Sequence, residues 1–513
     1  MNKRMLSCLS GLLLSFASAA AAQEARPLTE QEVVAVAVAN NPSLHVALLR
    51  AQQSRFGLRA EEALYTPILG ASAGYTHSRV PSLYQDGTRI TGSDVFDVGL
   101  GLTKPFAYGT VLSATMSGQR SSRASLEQQA LLGATGPGYS LVGRLAATQP
   151  LLRGAGTDVG LASLRQARLN LSANELAAQA AASQVLSQVV SDYWELWYSN
   201  EAVRINEASR ELARVQQEQA QQQVQSGALA PASALPYATQ VAQLDEAVLA
   251  ARTDVRQREL VLAQTLGRAA GVGEALAAVD VPQPPSADEP VEATAVREAL
   301  ANSYERRQLQ AQLAIARDQL KISGDPLRPR LDLDAYVQAQ GLGNRRVPPA
   351  IEQFGQMEAV SAHVGLTFEM PVTDARRSAQ IQAAQLAARV AEKQIAVSEL
   401  AIRSSVASAI AQRRAARERL ELATQTEKVA KAQAEAERAR FLAGGTIAIT
   451  VQQAEDSYRQ AQLRVQRARV DLVMADLSLA ELRGQLLTRY ADAVQRLPAE
   501  QRITLSNNVS GNF

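Results

Sequence analysis

Two long stretches without proline constrain the fold of this chain more than any other feature. They run through residues 157–224 and 374–442, and both are rich in Ala, Gln and Glu, which favour the helix. A continuous helix of this length would extend roughly 100 Å, more than an ordinary globular domain accommodates. Aromatic residues make up only 4% of the chain, which is low for a large compact core. The sequence therefore predicts long helices packed side by side.

The second of these helices carries apolar residues on two opposed sides. The first stripe consists of Leu386, Val390, Val397 and Leu400, and the second of Ile395, Ile402, Val406 and Ile410. Each residue turns a helix by about 100°, so the two stripes face opposite ways. A helix with two seams needs a neighbour on each side, which a curved wall of helices provides and an isolated two-stranded coiled coil does not.

The chain contains two copies of one pattern. In each copy, strands are followed by a proline, a long helix, a glycine-led turn and a second helix. The landmarks are Pro67, Pro150, Gly227 and Gly267 in the first copy, and Pro329, Pro371, Gly444 with Gly445, and Gly484 in the second. The strand interval is longer in the first copy.

This duplication predicts the domain organisation. We expect a signal peptide in 1–22, N-terminal helices of the first repeat in 23–66, its strands with an extra hairpin in 67–156, its helical hairpin in 157–267, a linker in 268–292, a helix of the second repeat in 293–324, its strands in 325–373, its helical hairpin in 374–488, and a C-terminal tail in 489–513.

The N-terminus has the pattern of a secretory signal. Lys3 and Arg4 precede an apolar run, and small residues up to Ala22 offer a cleavage site before Gln23. The single cysteine, Cys8, lies in this segment, which excludes a disulfide framework and a Cys-based zinc site. No later stretch has the ~18–20 apolar residues of a spanning helix. An exported chain of this kind is either soluble in the periplasm or a β-barrel in the outer membrane.

Composition and motifs argue against other functions. The chain has 52 Lys and Arg against 50 Asp and Glu, so there is no basic excess to neutralise nucleic-acid phosphates. His45, His77 and His363 lie far apart without a second metal ligand at a suitable spacing. No nucleophile–base pair, phosphate loop or paired catalytic carboxylates can be recognised. We expect no enzyme activity, no cofactor and no metal.

Between the helices the hydrophobic period changes to two. Val364, Leu366 and Phe368 alternate with Gly365 and Thr367, and similar dyads follow Leu69, Phe96, Leu141 and Leu331. A soluble sheet with one packed face gives the same alternation. The export signal and the long helices favour a transmembrane barrel with lipid on one side and water on the other. One chain has too few strands to close the smallest common barrel of ~8 strands, so closure requires several chains. On the polar face, we expect Asp332, Asp334 and Glu369 to line the lumen.

Several segments together resemble the TolC-like outer-membrane efflux proteins, the outer membrane factors of tripartite efflux and type I secretion systems. They are the run from Ala39 through Asn41-Pro42 to Leu44, the run from Gln149 to Gly154, the run from Asp192 to Leu196, and the two glycine-led hairpins. The resemblance implies an α+β membrane protein with a two-fold internal repeat. A trimeric outer-membrane β-barrel would continue into a long periplasmic α-helical barrel. It also implies a passive exit duct that docks with a periplasmic adaptor (membrane fusion) protein and an inner-membrane efflux or ABC pump.

The resemblance makes two further expectations specific. Each protomer of the family gives four strands to a shared 12-stranded barrel, whereas this chain has an additional alternating stretch from Thr110 to Met116. That stretch is either an outer-surface hairpin or part of two more barrel strands. At the periplasmic tip, where some members carry a gate of aspartates, this chain has Thr450 and Gln453.

The glycines of the two helical turns are predicted to lie at the periplasmic tip. We expect Gly227, Gly444 and Gly445 to reverse the helices at the periplasmic end, with glycine required for a positive φ.

The alternative function to an exit duct is a soluble periplasmic coiled-coil scaffold or adaptor. An adaptor would carry compact lipoyl-like or small-barrel domains around one helical hairpin rather than two duplicated halves. Drugs, metals and proteins all remain open as cargo.

Overall fold

The computed structural model describes residues 26–84, 87–123, 137–227, 230–268, 276–283, 290–370, 375–443 and 445–506. The predicted signal peptide and Gly444 lie outside these residues. The chain divides into two compact units. Unit 1 comprises Met1–Leu44, Ala182–Ala295 and Ser405–Pro498, and unit 2 comprises His45–Ala181, Val296–Ser404 and Ala499–Phe513.

The helices follow the duplicated pattern. The first copy has α1 (Glu30–Asn40), α2 (Pro42–Ala63), a short α3 (Thr157–Gly160), α4 (Ala162–Gln225) and α5 (Pro231–Thr265), and the second has α6 (Glu292–Asn302), α7 (Tyr304–Ser323), α8 (Pro348–Gly355), α9 (Ala375–Leu442) and α10 (Ala448–Leu482). Three short helices follow, α11 (Leu486–Arg489), α12 (Ala491–Gln495) and α13 (Ala499–Ser506). The long helices α4 and α9 contain 64 and 68 residues, and α5 and α10 contain 35 each. The internal repeat is therefore present in the fold.

The strands of unit 2 form one sheet. They are β2 (Ile68–Tyr84), β3 (Gly87–Pro105), β4 (Val111–Arg123), β5 (Gly138–Pro150), β7 (Arg330–Asn344) and β8 (Val360–Glu369). Their order among the described residues is β2-β3-β4-β5-β7-β8, and every neighbouring pair is antiparallel. In unit 1, β1 (Arg26–Leu28) pairs in parallel with β6 (Leu276–Ala278), which lies within the predicted linker.

The strand pairing decides between the two alternatives for the additional alternating stretch of the first copy. The stretch from Thr110 to Met116 opens β4, which pairs with β3 along Ser93–Pro105 and with β5 along Gly138–Thr148. A strand bonded on both edges is an interior strand of the sheet, not a hairpin added to its surface. The alternative of two more strands in the sheet is therefore the one observed.

The centre of unit 1 is a cluster of aromatic side chains on α4. Tyr193, Trp194 and Trp197 are all buried, and their rings meet edge to face at 5.1 and 6.2 Å. The tryptophans are thus packing residues. At the start of α1, Thr29 and Glu32 form a capping box, in which each side chain bonds the other's backbone N–H.

In each copy, one glycine ends the helix that follows the turn, and the two glycines do so in the same way. Gly267 and Gly484 have φ values of +70° and +68°. The next residue then bonds back across the last turn, from Arg268 N to Ala263 O and from Gln485 N to Ala480 O. These are C-terminal caps that need glycine. At Gly267 a Cβ would also lie 2.2 Å from Asn40 O, so the close approach of α1 excludes a side chain.

Among the described residues, no single helix combines the length and hydropathy of a membrane span. Only α1 and α2 pass that criterion when they are taken together as a broken pair.

Candidate functional site

The sheet of unit 2 has one continuous apolar face. One row of directly paired residues runs across all its strands through Leu69, Leu102, Ala114, Leu145, Val337 and Ala362. The larger side chains on this face are exposed, including Leu69 at 73%, Leu145 at 65% and Val364 at 74%. A soluble sheet would cover such a face. Its exposure in every strand fits contact with lipid instead.

The opposite face of the sheet is small and polar. The neighbouring row of paired residues consists of Gly70, Gly101, Thr115, Arg144, Gln338 and Ser361. On this face the guanidinium of Arg144 lies 3.7 Å from the ring centroid of Tyr336, which stacks on His363 at 5.0 Å. The two faces have the contrast in polarity that a membrane strand needs.

The three carboxylates predicted for the lumen lie on this polar face near the helix-connected ends of the strands. Asp332 is buried and bonds Arg330 Nε at 2.5 Å, while Asp334 accepts bonds from Thr148 and Thr367. Glu369 lies 3.4 Å from Arg153 Nη2 and 3.7 Å from Arg330 Nη1. Asp332 and Glu369 thus share Arg330, so they form a local network rather than a row of isolated charges.

A short helix covers part of the apolar face at the far ends of the strands. Helix α8 packs over β7 and β5, where a Cβ at Gly143 would lie 2.8 Å from the ring of Phe354 and one at Gly341 would lie 1.8 Å from Ala350 O. Leu342 lies on the part of β7 that extends past the first residue of β8. Its N–H donates a hydrogen bond to the side-chain oxygen of Gln353. The glycines are therefore required by the close approach of a helix, which the strand alternation alone did not predict.

The two helical turns differ in their backbone. Gly227 follows α4 with φ +76°, and no neighbouring atom would obstruct a Cβ there. Gly445, between α9 and α10, does not have a positive φ, and its N–H bonds Arg440 O. The expected need for a positive φ is wrong at Gly445. The Gly445 N–H bonds back to the carbonyl of Arg440, five residues earlier, and Gly444, the other glycine of this turn, lies outside the described residues.

The predicted aperture residues lie in the first turns of α10. Thr450 is half-buried and its N–H bonds Ile447 O, whereas Gln453 is exposed. The nearby carboxylates are engaged within the chain. Glu455 accepts bonds from Arg438 Nε at 2.5 Å and Gln216 Nε2 at 2.8 Å, and Asp456 pairs with Arg459.

Sequence reasoning missed the role of Glu455. Its side chain is 13% exposed and joins α4, α9 and α10, because Gln216 and Arg438 come from the other two helices. Gln216 is 239 positions from Glu455, and Arg438 lies 17 positions away on the other arm of the helical hairpin, so no spacing within one helix indicates the contact. Beside this contact, a groove of about 320 Å³ is lined by side chains of α4, α5, α9 and α10, among them Val215, Tyr237, Phe441 and Val451.

The two apolar stripes of α9 have different environments. Ile402, Val406 and Ile410 are buried at 8% exposure or less. On the opposite stripe, Leu386, Val390, Val397 and Leu400 are exposed at 55–69%. One seam is therefore filled by the chain itself and the other has no partner within the described residues of this chain.

Buried ionisable groups in unit 1 support packing. Burial raises the pKa of Asp192, whose carboxylate accepts bonds from Thr265 and Gln188. Glu30 accepts bonds from Trp194 Nε1 and the Tyr490 hydroxyl, and burial raises the pKa of Tyr490. Each of these groups lies in a helix contact. None faces a cavity together with a nucleophile.

Comparison with known proteins finds a family match over part of the chain and a shared fold over most of it. Residues 295–485 match the family model for outer membrane efflux proteins. Among curated protein sequences, none matches the chain. The structure is similar to the CmeC outer membrane channel of Campylobacter jejuni, with a TM-score of 0.68, 13% identity, and coverage of 93% of this chain and 90% of that one. For the outer membrane protein VceC of Vibrio cholerae, the TM-score is 0.63, the identity 16%, and the coverage 89% and 96%.

A third similar structure is the MtrE outer membrane channel of Neisseria gonorrhoeae, with a TM-score of 0.61, 14% identity and 89% coverage of both chains. The family match and the shared fold confirm the resemblance that the sequence predicts.

Proposed function

We propose that this chain is a member of the TolC-like outer-membrane efflux family and acts as a passive exit duct, in which three copies close a barrel in the membrane and a helical tunnel below it. The family is one of outer-membrane transport proteins and not of enzymes. The proposal for this chain is supported above all by the sheet of unit 2. It has an exposed apolar face, a polar face and two edges without a partner in the described chain.

The oligomeric state tests this function directly. The purified protein in detergent should have the native mass of three chains, and it should conduct ions across a planar lipid bilayer. A monodisperse monomer that stays in solution without detergent would refute the proposal. That result would favour the rival function, a periplasmic scaffold. The duplicated halves and the exposed apolar sheet face do not suit such a scaffold.

We further propose that the helical turns dock with a periplasmic adaptor, which connects the duct to an inner-membrane pump as the energy source. Support comes from apolar side chains beside the turn between α9 and α10. Leu442 is 87% exposed and Ile447 is 67% exposed, close to the 320 Å³ groove. An adaptor helix with apolar side chains would cover this patch.

The docking proposal is tested by Leu442→Asp together with Ile447→Asp. Export in cells should be lost while the native mass and the bilayer conductance stay unchanged, because covering two unpaired carboxylates with an apolar helix costs desolvation free energy. The matched control is Gln433→Asp, which adds the same charge at an exposed position of α9 about two and a half turns before Leu442. Normal export by the double variant would show that docking occurs elsewhere.

At the aperture, we propose that the resting duct is narrowed by size and dewetting rather than by a ring of carboxylates. Thr450 and Gln453 are neutral, and Glu455 and Asp456 are held by arginines. Neutral rings select weakly among ions, whereas charged rings select through Coulomb attraction. The conductance of the unmodified protein should therefore be little blocked by a trivalent cation. Thr450→Asp with Gln453→Asp should create strong block, and strong block of the unmodified protein would contradict the proposal.

A further inference from the structure

We infer that three copies of this chain close an 18-stranded barrel, in which β8 of each copy pairs with β2 of the next. This inference rests on the proposed trimer and adds the number of strands and their register. Its starting point is that all six strands of the sheet are bonded to their neighbours along most of their lengths. Three copies of six strands make 18.

The two edge strands are compatible with each other. Strand direction alternates at every step across the sheet, so an even number of strands leaves β2 and β8 pointing in opposite directions. β8 of one copy can therefore form an antiparallel ladder with β2 of a second copy, as every other neighbouring pair does. Both edges also carry the apolar face outward, with Leu69 on β2 and Val364 and Leu366 on β8 exposed at 65–74%.

The apolar face predicts the register of this contact. A row of paired residues through Val364 continues through Ala335, Ala147 and Leu112 to Lys104, just before β2 begins at Ile68. The apolar stretch of β2 is centred on Ala71 and Ala73, about four to six residues farther from the helices. The apolar band therefore slants across the six strands.

This slant gives the strand tilt. A shift of about five residues at ~3.3 Å each, across the five ~4.8 Å spacings between β8 and β2, corresponds to about 35°. Membrane barrels tilt their strands by ~35–45°, so the slant is of the size that a closed barrel needs. A band of constant height around the barrel then places Val364 of one copy beside Ala71 or Ala73 of the next.

The strand number sets the width of the outer opening. The diameter of a barrel grows roughly in proportion to its strands, so 18 strands give a barrel about 1.5 times as wide as 12 at the same tilt. Barrels of ~16–18 strands leave a water-filled channel. The membrane part of this duct would then admit bulkier cargo than a 12-stranded barrel does.

Cysteine cross-linking tests the register. The only native cysteine is Cys8, and Cys8→Ser removes it. Val364→Cys combined with Ala71→Cys, or with Ala73→Cys, should link chains into dimers and closed trimers on non-reducing denaturing gels. The control combines Val364→Cys with Ser72→Cys, whose side chain lies on the opposite face and should not link. A trimeric native mass without cross-links from either pair would overturn the register while leaving the trimer intact.

Labelling in the membrane tests the strand number independently. Leu100→Cys on β3 and Met116→Cys on β4 should be protected from a membrane-impermeant maleimide, as Leu366→Cys on β8 should be. Ser117→Cys, which faces the other side of β4, should be labelled through the water-filled lumen. If Leu100→Cys and Met116→Cys react as fast as Ser117→Cys, β3 and β4 lie outside the lipid and the barrel does not have 18 strands. A native mass other than three chains would instead refute the proposed trimer.

Discussion

The exposed stripe of α9 allows a quantitative prediction about assembly. Val397 and Leu400 are 67% and 69% exposed in the chain, and on the proposed function a neighbouring copy covers them. Full burial of a Val or Leu side chain contributes ~1.5–3 kcal/mol. About two-thirds of that contribution remains to be gained on assembly, or ~1–2 kcal/mol per side chain.

Replacing both residues with alanine should weaken the trimer strongly. Alanine keeps only a part of the apolar surface, so the double variant should lose ~1.5–3 kcal/mol per interface. A closed ring of three chains has three such interfaces, and the total is ~5–9 kcal/mol. The midpoint concentration for dissociation of a trimer scales with the square root of the dissociation constant. At ~1.4 kcal/mol per factor of ten, the concentration at which half the trimer dissociates should therefore rise by about 60- to 1,600-fold.

Native mass measurements over a dilution series in detergent would detect this shift. Ser405→Ala is the matched control, because Ser405 is exposed on the same helix about a quarter-turn away from the stripe. Ile402→Val on the buried seam should instead lower the stability of each chain by ~0.5–1.5 kcal/mol without moving the dissociation midpoint. An unchanged midpoint for Val397→Ala with Leu400→Ala would refute the assignment of this stripe to the subunit interface.

Three further predictions concern unit 1. Gly227→Val should lower the free energy of unfolding by ~1–2 kcal/mol because of the left-handed backbone at Gly227, whereas Gly445→Ala should have little effect. Thermal unfolding of both variants measures these losses, and equal losses would contradict the prediction. Burial raises the pKa of Asp192 above the usual 3.8, so its ionisation costs stability as the pH rises through and above that value. Asp192→Asn should therefore gain stability relative to the native chain from acidic to neutral pH, and a constant difference between their unfolding curves would argue against it. Glu455→Gln removes the ion pair with Arg438 and should lower stability by ~1 kcal/mol. The control is Glu207→Gln, whose carboxylate is 35% exposed and pairs with Arg252, which is 59% exposed. Equal losses would show that the buried contact has no special role.

Local patterns in the sequence predict much of this fold. The absence of proline and the double stripe predict α9 and its two seams, and the structure places Val406 on the buried side and Val397 on the exposed side. Alternation predicts the strands, and Thr29 with Glu32 predicts the start of α1. Each of these signals depends on residues within a few positions of one another, where helix and strand geometry fix which side chains share a face.

What the sequence did not predict depends on contacts between distant residues. The alternation from Thr110 to Met116 indicates a strand but not its neighbours, which are set by pairing with β3 and β5. Likewise, Gly143 and Gly341 are small because α8 approaches them, and Glu455 is a contact residue because Gln216 and Arg438 come from other helices. A positive φ at Gly445 was expected from residue type alone, although glycine occupies either sign of φ.

The unpaired strand edges also bear on how a duct of this kind enters the membrane. Half of the residues of β8 direct their N–H and C=O groups away from β7, which leaves about ten unpaired groups along a strand of 10 residues. An unpaired group in lipid costs several kcal/mol, so one open edge would cost some tens of kcal/mol in the hydrocarbon region. The exposed stripe of α9, in contrast, can associate in water. We therefore expect the helices to bring three chains together before or while the sheets close and insert, and the assembly-deficient α9 variant should also fail to reach the membrane. Membrane insertion of that variant as a monomer would contradict this order.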